Sequence, residues 1–313
     1  MAVARCFVTR DLPGPGLGRL RAAHDVDLWE GASPPPPDEM RDRAAAAEGL
    51  LAMLTDRIDE ALLAACPDLR AISNYAVGTD NVEVAAATAH GIPVGNTPDV
   101  LTDSTADLAV GLMLAAARRF AEAERTVRDG EWTTWAPTFL LGRDLHGAEV
   151  GIVGGGRIGT AVARRLDGFG CAVSVAGRDR DELEAVLGRS DFVTLHCPLT
   201  PATRGLIDER ALRAMRPTAF LVNTARGPIV DQAALGTALH EGWIAGAALD
   251  VTDPEPLPAD DPLLAAPNLL VLPHLGSATH RTREAMATLA VDNLLAGLAG
   301  EPMPHCVNPD VYG

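Results

Sequence analysis

The stretch 150–159 reads VGIVGGGRIG, and its reading decides the fold. A short apolar run ends at Val153, Gly154, Gly156 and Gly159 give a G-x-G-x-x-G spacing, and 160–166 continues at helical period. In such a strand–turn–helix each glycine has a physical reason. The first makes the tight turn, the second lets backbone approach a pyrophosphate, and the third lets helix and strand pack closely. The helix N-terminus then presents unpaired N–H groups to the diphosphate. A dinucleotide cofactor held at Gly154, Gly156 and Gly159, with Arg157 and Ile158 between them, is the first expectation. A flexible glycine turn would not need the strand before it or the helix after it.

Outward from this turn the chain alternates apolar runs with helical patterns. Strands are expected at 149–153, 172–176, 192–195, 219–223, 246–249 and 269–272 in the second part, and at 5–9, 25–28, 49–55, 69–75 and 92–95 in the first. Helical stretches at 58–65 and 81–90 lie between the later strands of the first part. This rhythm predicts an α/β protein of two Rossmann-like or flavodoxin-like domains, each with a parallel sheet, and an active-site cleft between them. A long apolar helix is expected from Thr102 to about Arg119, a loop at 132–142, and a last helix at 283–299 that returns to the first domain. The boundaries are therefore set at 1–98 plus 285–313 for the substrate-binding domain and 99–284 for the dinucleotide-binding domain. The four prolines at 34–37 read as a stiff surface connection.

Composition narrows the partners. Aromatic residues make up 4% of the chain, so aliphatic packing dominates the core. Asp and Glu outnumber Lys and Arg by 42 to 26, a formal charge of −16. Such a surface repels phosphate backbones and anionic lipid, which argues against nucleic acid and membrane as partners. It repels small anionic substrates too, so an anionic substrate needs a local cation. The five cysteines form no C-x-x-C pair and read as small buried hydrophobes of a reducing compartment. No signal peptide or membrane span is apparent, and a cytoplasmic location is expected. No metal is expected.

The ribose reader should lie at the end of the strand after the glycine turn, where an NAD site places an acid. The strand 172–176 runs into Gly177 and Arg178. A small residue beside a guanidinium suits a 2′-phosphate, so NADP(H) is expected to be preferred and NAD(H) possible. In the competing reading Asp179 reaches the ribose and Arg178 is solvated.

Three polar residues follow three later strands: Arg226 in NTARG, Glu255 in LDVTDPEP and His274 in LPHLGSATH. Carboxyl ends of strands form the ligand crevice of open α/β sheets. An Arg there can fork a substrate carboxylate, and a His with a carboxylate partner can give a proton to a carbonyl oxygen. Singly, each has an equally good bland reading, as a surface cation, a turn residue or a satisfied core histidine. At three successive strand ends the functional reading prevails.

With these residues in place the sequence resembles the D-isomer-specific 2-hydroxyacid dehydrogenases, most closely the glyoxylate/hydroxypyruvate reductase branch. The resemblance runs from about Gly49 to the end. It rests on NYAVGTDNV at 74–82, VGNTPDVLTDSTADLAVGLMLAAARR at 94–119, the glycine turn, HCPLTPATRGLI at 196–207, VNTARGPIVDQAAL at 222–235, AALDVTDPEPLP at 247–258 and LPHLGSATHRTR at 272–283. It implies reduction of a small 2-oxo acid by NAD(P)H. His274 is then the proton donor, Glu255 its partner, and Arg226 the carboxylate anchor together with the backbone N–H groups of Val77 and Gly78. Thr105, Cys197, Pro198, Thr203, Thr224, Ala225 and Gly276 match cofactor-contacting positions, and Arg226, Asp250 and His274 also border the cofactor. With even weight, Asp250 instead fixes a neighbouring backbone. Thr203 has the alternative of capping a turn. Ser277 and Arg281 would shape the substrate pocket, although Arg281 also reads as a plain helix cation. The resemblance and the apolar helix from Thr102 to Ala117 suggest a homodimer, with Phe139 standing where an interface tryptophan is expected. Phosphoglycerate, D-lactate, phosphite and formate dehydrogenases, and a corepressor-like NAD(H)-sensing protein, share the pattern.

Overall fold

The computed structural model describes residues 2–177 and 179–313, so Arg178 lies outside the described residues. The chain divides into two compact units, one of the residues up to Leu101 with Ala278–Gly313, the other Thr102–Ser277. These limits differ from the sequence-based boundaries at 98/99 and 284/285. They fall just before two long helices, starting at Thr102 and His280, because each helix packs within a single unit.

The first unit runs β1 (Arg5–Val8), α1 (Gly16–Ala23), β2 (Asp25–Leu28), α2 (Pro37–Ala45), β3 (Gly49–Met53), α3 (Glu60–Ala64), β4 (Ala71–Tyr75), α4 (Val84–Ala89) and β5 (Val94–Gly95). Its sheet is parallel, in the order β2-β1-β3-β4-β5. The proline run is only partly a connection. Pro37 opens α2, where its missing N–H costs nothing and its fixed φ suits a helix start.

The second unit begins with α5 (Thr102–Ala117) and α6 (Phe120–Arg128), then β6 (Glu149–Val153), α7 (Arg157–Asp167), β7 (Ala172–Ala176), α8 (Arg180–Leu187), β8 (Phe192–Leu195), α9 (Glu209–Ala214), β9 (Phe220–Asn223), α10 (Gln232–Glu241), β10 (Gly246–Leu249) and β11 (Leu269–Val271). The parallel order is β11-β10-β9-β8-β6-β7. Apolar residues alternate sides along the strands. Val193, Leu195, Leu221, Ala247 and Leu249 enter one core; Phe192, Phe220, Val222 and Ala248 enter the other with α5 and α7. A sheet covered on both faces needs this continuous hydrophobicity. The apolar face of α5 is thus spent inside its own unit: Ala106, Ala109, Leu112, Met113 and Ala117 are buried there.

The last helix, α11 (His280–Ala299), returns to the first unit. Ser73 in β4 donates to the Ala290 carbonyl at 2.7 Å, and Tyr75 to that of Arg283 at 2.7 Å. No helix among the described residues is long and apolar enough to cross a membrane.

Candidate active site

The strand order of the second unit reverses at β6, which has β7 on one side and β8 on the other. Ligands of open α/β sheets lie outside the carboxyl ends of strands at such a reversal. The glycine turn sits there. Gly154 has φ +102, and a Cβ on it would lie 2.6 Å from the Cys197 nitrogen after β8. A Cβ on Gly159 would lie 2.2 Å from the Gly154 carbonyl oxygen, so strand and helix meet at a distance only glycine allows. A Cβ on Gly156 meets nothing within 4 Å. That open backbone, at the N-cap of α7, is the place where a diphosphate would approach the N–H groups beginning at Arg157 and Ile158. The residues present therefore fit a dinucleotide.

Around the turn, Cys197 is buried and Pro198 exposed. Thr203 is buried, its hydroxyl donating to the Pro198 carbonyl at 2.6 Å and accepting from the Thr200 N–H at 2.8 Å, so these two bonds organise that turn. His196 bonds Thr194 at 2.9 Å through Nε2, with the Thr224 hydroxyl 3.5 Å from Nδ1. Burial pushes its imidazole down to about 4, which keeps it neutral at physiological pH. This ring links Thr194 of β8 to Thr224, the residue after β9.

Arg226, Glu255 and His274 follow three adjacent strands, β9, β10 and β11. Asn223 holds the first loop, accepting from the Ala225 N–H at 3.0 Å and donating to the Arg226 carbonyl at 2.8 Å. A Cβ on the next residue, Gly227, would lie 1.9 Å from the Thr252 carbonyl oxygen, so the loops after β9 and β10 touch backbone to backbone. Gln232 fastens the second loop, donating to the Asp253 carbonyl at 2.5 Å and accepting from the Asp253 N–H at 2.7 Å. Two residues on, the Glu255 carboxylate meets His274 Nδ1 at 2.5 Å. Sequence reading missed Gln232 and His196. Their partners lie across loops, and nothing in local spacing marks them.

His274 has φ +57, unusual for a non-glycine residue. Asp250 holds it there. The His274 N–H donates to the Asp250 carbonyl at 2.9 Å, and the Asp250 carboxylate accepts from Leu275 at 2.6 Å and Gly276 at 2.8 Å. Thr105 adds a bond to the Gly276 carbonyl at 3.3 Å. Of the two expected roles for Asp250, backbone fixing is the one these contacts display. Burial raises its carboxyl above the ordinary range despite the two amides. A raised folded-state pKa means that the ionised group costs stability at neutral pH, a cost lost as pH falls through the raised value. Asp250→Asn removes that cost but sets an amide NH2 against one of the two backbone N–H groups, so thermal stability should fall only modestly. It should lower kcat on the order of 10²-fold through a displaced imidazole. Paired melting curves and steady-state rates test this; a full kcat with a collapsed melting point would contradict it.

Val77 and Gly78 lie in the first unit, in the turn after β4, where Asn96 and Asn74 bind their carbonyls at 2.8 and 2.9 Å. Ser277 is buried at the end of the second unit, and Arg281 is exposed in the first turn of α11. They fall in different units.

The sequence model of "D-isomer specific 2-hydroxyacid dehydrogenase, NAD binding domain" matches residues 110–276. The chain is 48% identical to a glyoxylate reductase of Korarchaeum cryptofilum over 98% of its own length and 96% of that protein's. Among solved structures it resembles the TT0316 protein of Thermus thermophilus, with TM-score 0.92, 47% identity, and 97% and 99% of the two chains covered. It also resembles the NADPH-dependent glyoxylate/hydroxypyruvate reductase of Sinorhizobium meliloti in complex with NADP and malonate, with TM-score 0.85, 35% identity and 98% of both chains covered.

Proposed function

Since the chain belongs to the D-isomer specific 2-hydroxyacid dehydrogenase family, we propose that it reduces glyoxylate or hydroxypyruvate to the D-2-hydroxy acid. The observation that carries this is the 2.5 Å contact between His274 Nδ1 and Glu255, on the sheet whose β6 turn fits the cofactor. The reduced nicotinamide of a dinucleotide held at the glycine turn would supply the hydride that C2 of the oxo acid takes up. The chain's own residues do the rest. Glu255 accepts from Nδ1–H and fixes the ring, so Nε2 is the nitrogen that hands its proton to the carbonyl oxygen. Arg226 holds the carboxylate and lends positive charge beside the developing alkoxide. It is the local cation that a chain of net charge −16 needs for an anionic substrate.

NADP(H) is the preferred cofactor in this reading, through the chemistry of Gly177 and Arg178. The S. meliloti complex with NADP supports it. A homodimer is proposed through the segment after α5. Trp132, Trp135, Phe139 and Leu141 are exposed there at 56%, 76%, 47% and 65%, apolar area that a partner subunit would cover. All five cysteines are free, which suits the cytoplasm.

Steady-state assays of glyoxylate, hydroxypyruvate, pyruvate and phosphohydroxypyruvate with NADPH and NADH test the whole reading. The highest kcat/KM is expected for one of the first two with NADPH. A pyruvate or phosphohydroxypyruvate optimum would sink the substrate assignment, and a clear NADH optimum the cofactor one.

A further inference from the structure

In this fold the ribose of the adenosine half lies against the end of the second strand, and an acid placed there accepts from the 2′-hydroxyl. The chain has Gly177 at that position. The carboxylate is nevertheless present in space. Glu182, in the first turn of α8, turns back and accepts from the Gly177 N–H through Oε2 at 3.0 Å. A Cβ built on Gly177 would lie 3.4 Å from that same oxygen. The Glu182 carboxylate thus lies in contact with the space where a strand-end side chain would begin. Gly177 and Glu182 are both exposed, so a ligand reaches them. Asp179 is engaged otherwise: its Oδ1 accepts from the Glu182 N–H at 2.9 Å and caps α8.

We propose that Glu182 reads the ribose, accepting from a 2′-hydroxyl and opposing a 2′-phosphate. This rests on the dinucleotide site proposed above. If Arg178 attracts the phosphate, as its chemistry suggests, the Glu182 carboxylate opposes it. The protein's choice between NADP(H) and NAD(H) is held narrow by that opposition, and Glu182 sets its limit.

Glu182→Gln tests this, since the amide oxygen still accepts from Gly177 while the charge is gone. Calorimetric titration with 2′,5′-ADP and with 5′-AMP reads the ribose site without catalysis. In the variant, the affinity ratio favouring 2′,5′-ADP should rise about tenfold. An unchanged ratio, with both nucleotides binding wild-type protein, overturns the role of Glu182 and leaves the dinucleotide site standing. Wild-type protein binding neither nucleotide overturns both. Glu182→Ala also removes the bond to Gly177. A lower melting point with an unchanged ratio would show that Glu182 only fixes the Gly177 backbone, and would overturn the proposal. The same rise in ratio as in the glutamine variant supports it.

Discussion

Replacing His274 by alanine is expected to lower kcat for the 2-oxo acid by about 10²–10⁴-fold, the range a positioned proton donor contributes. Nucleotide affinity should change little, because the glycine turn is built around β6, with β8 and β9 between it and the strands β10 and β11. The loop itself should survive. The bonds holding it run from backbone N–H groups of 274, 275 and 276 to Asp250, and none of them uses the imidazole. What is lost is the group that Glu255 orients at 2.5 Å. Steady-state rates beside a nucleotide titration separate the two quantities. Full turnover, or a lost affinity for NADPH with turnover retained, would refute the assignment of His274 as donor.

The same loop shows where sequence was enough and where it was not. Buried parallel strands are legible because both faces demand apolar residues, and 192–195 and 246–249 hold only Phe, Val, Thr, Leu, Gly and Ala. Their carboxyl ends then point to the loops of Arg226, Glu255 and His274 with no knowledge of packing. The backbone contacts of Asp250 are not legible, since they are made to two N–H groups 25 and 26 residues away. Gln232 was silent for the same reason: its partner Asp253 lies 21 residues on. Nothing in local spacing marks Glu182, whose carboxylate accepts from the Gly177 N–H five residues back. Pro34, Pro35 and Pro36 lie in the connection as expected and only Pro37 enters α2, because a polyproline signal and a proline at the first helical position look alike until the helix is seen.

From its sequence the apolar helix at 102–117 suggests a surface for association, but the structure covers it. Its apolar side is consumed by α7 and the sheet of its own unit. α6 buries no residue, and it exposes Phe120 at 57% and Val127 at 59%. The exposed apolar area of this region therefore lies on α6 and the segment that follows it.

Arg226→Gln is expected to lower kcat/KM for glyoxylate on the order of 10²–10³-fold, as removing one partner of a desolvated ion pair does. Two effects combine. The carboxylate loses its fork, which raises KM, and the carbonyl oxygen loses a nearby charge as it becomes an alkoxide, which lowers kcat. Arg226→Lys should fall between, because a lysine keeps the charge but cannot reproduce the planar two-point grip. Little of either loss should come from the fold. Asn223 binds this loop through the Ala225 N–H and the Arg226 carbonyl, and Gly227 seats it against Thr252, beside the bond the guanidinium itself donates to the Ala225 carbonyl at 2.8 Å. An anionic substrate approaching a chain of charge −16 is repelled at long range, and that repulsion weakens as salt screens it. In wild-type protein the close grip of Arg226 should dominate over this field, so kcat/KM should rise only mildly with added salt. In the glutamine variant the field is unopposed, and the relative rise should be steeper. A glutamine variant with wild-type kcat/KM would remove Arg226 from the site, and a salt response identical in both proteins would remove the electrostatic part of its role.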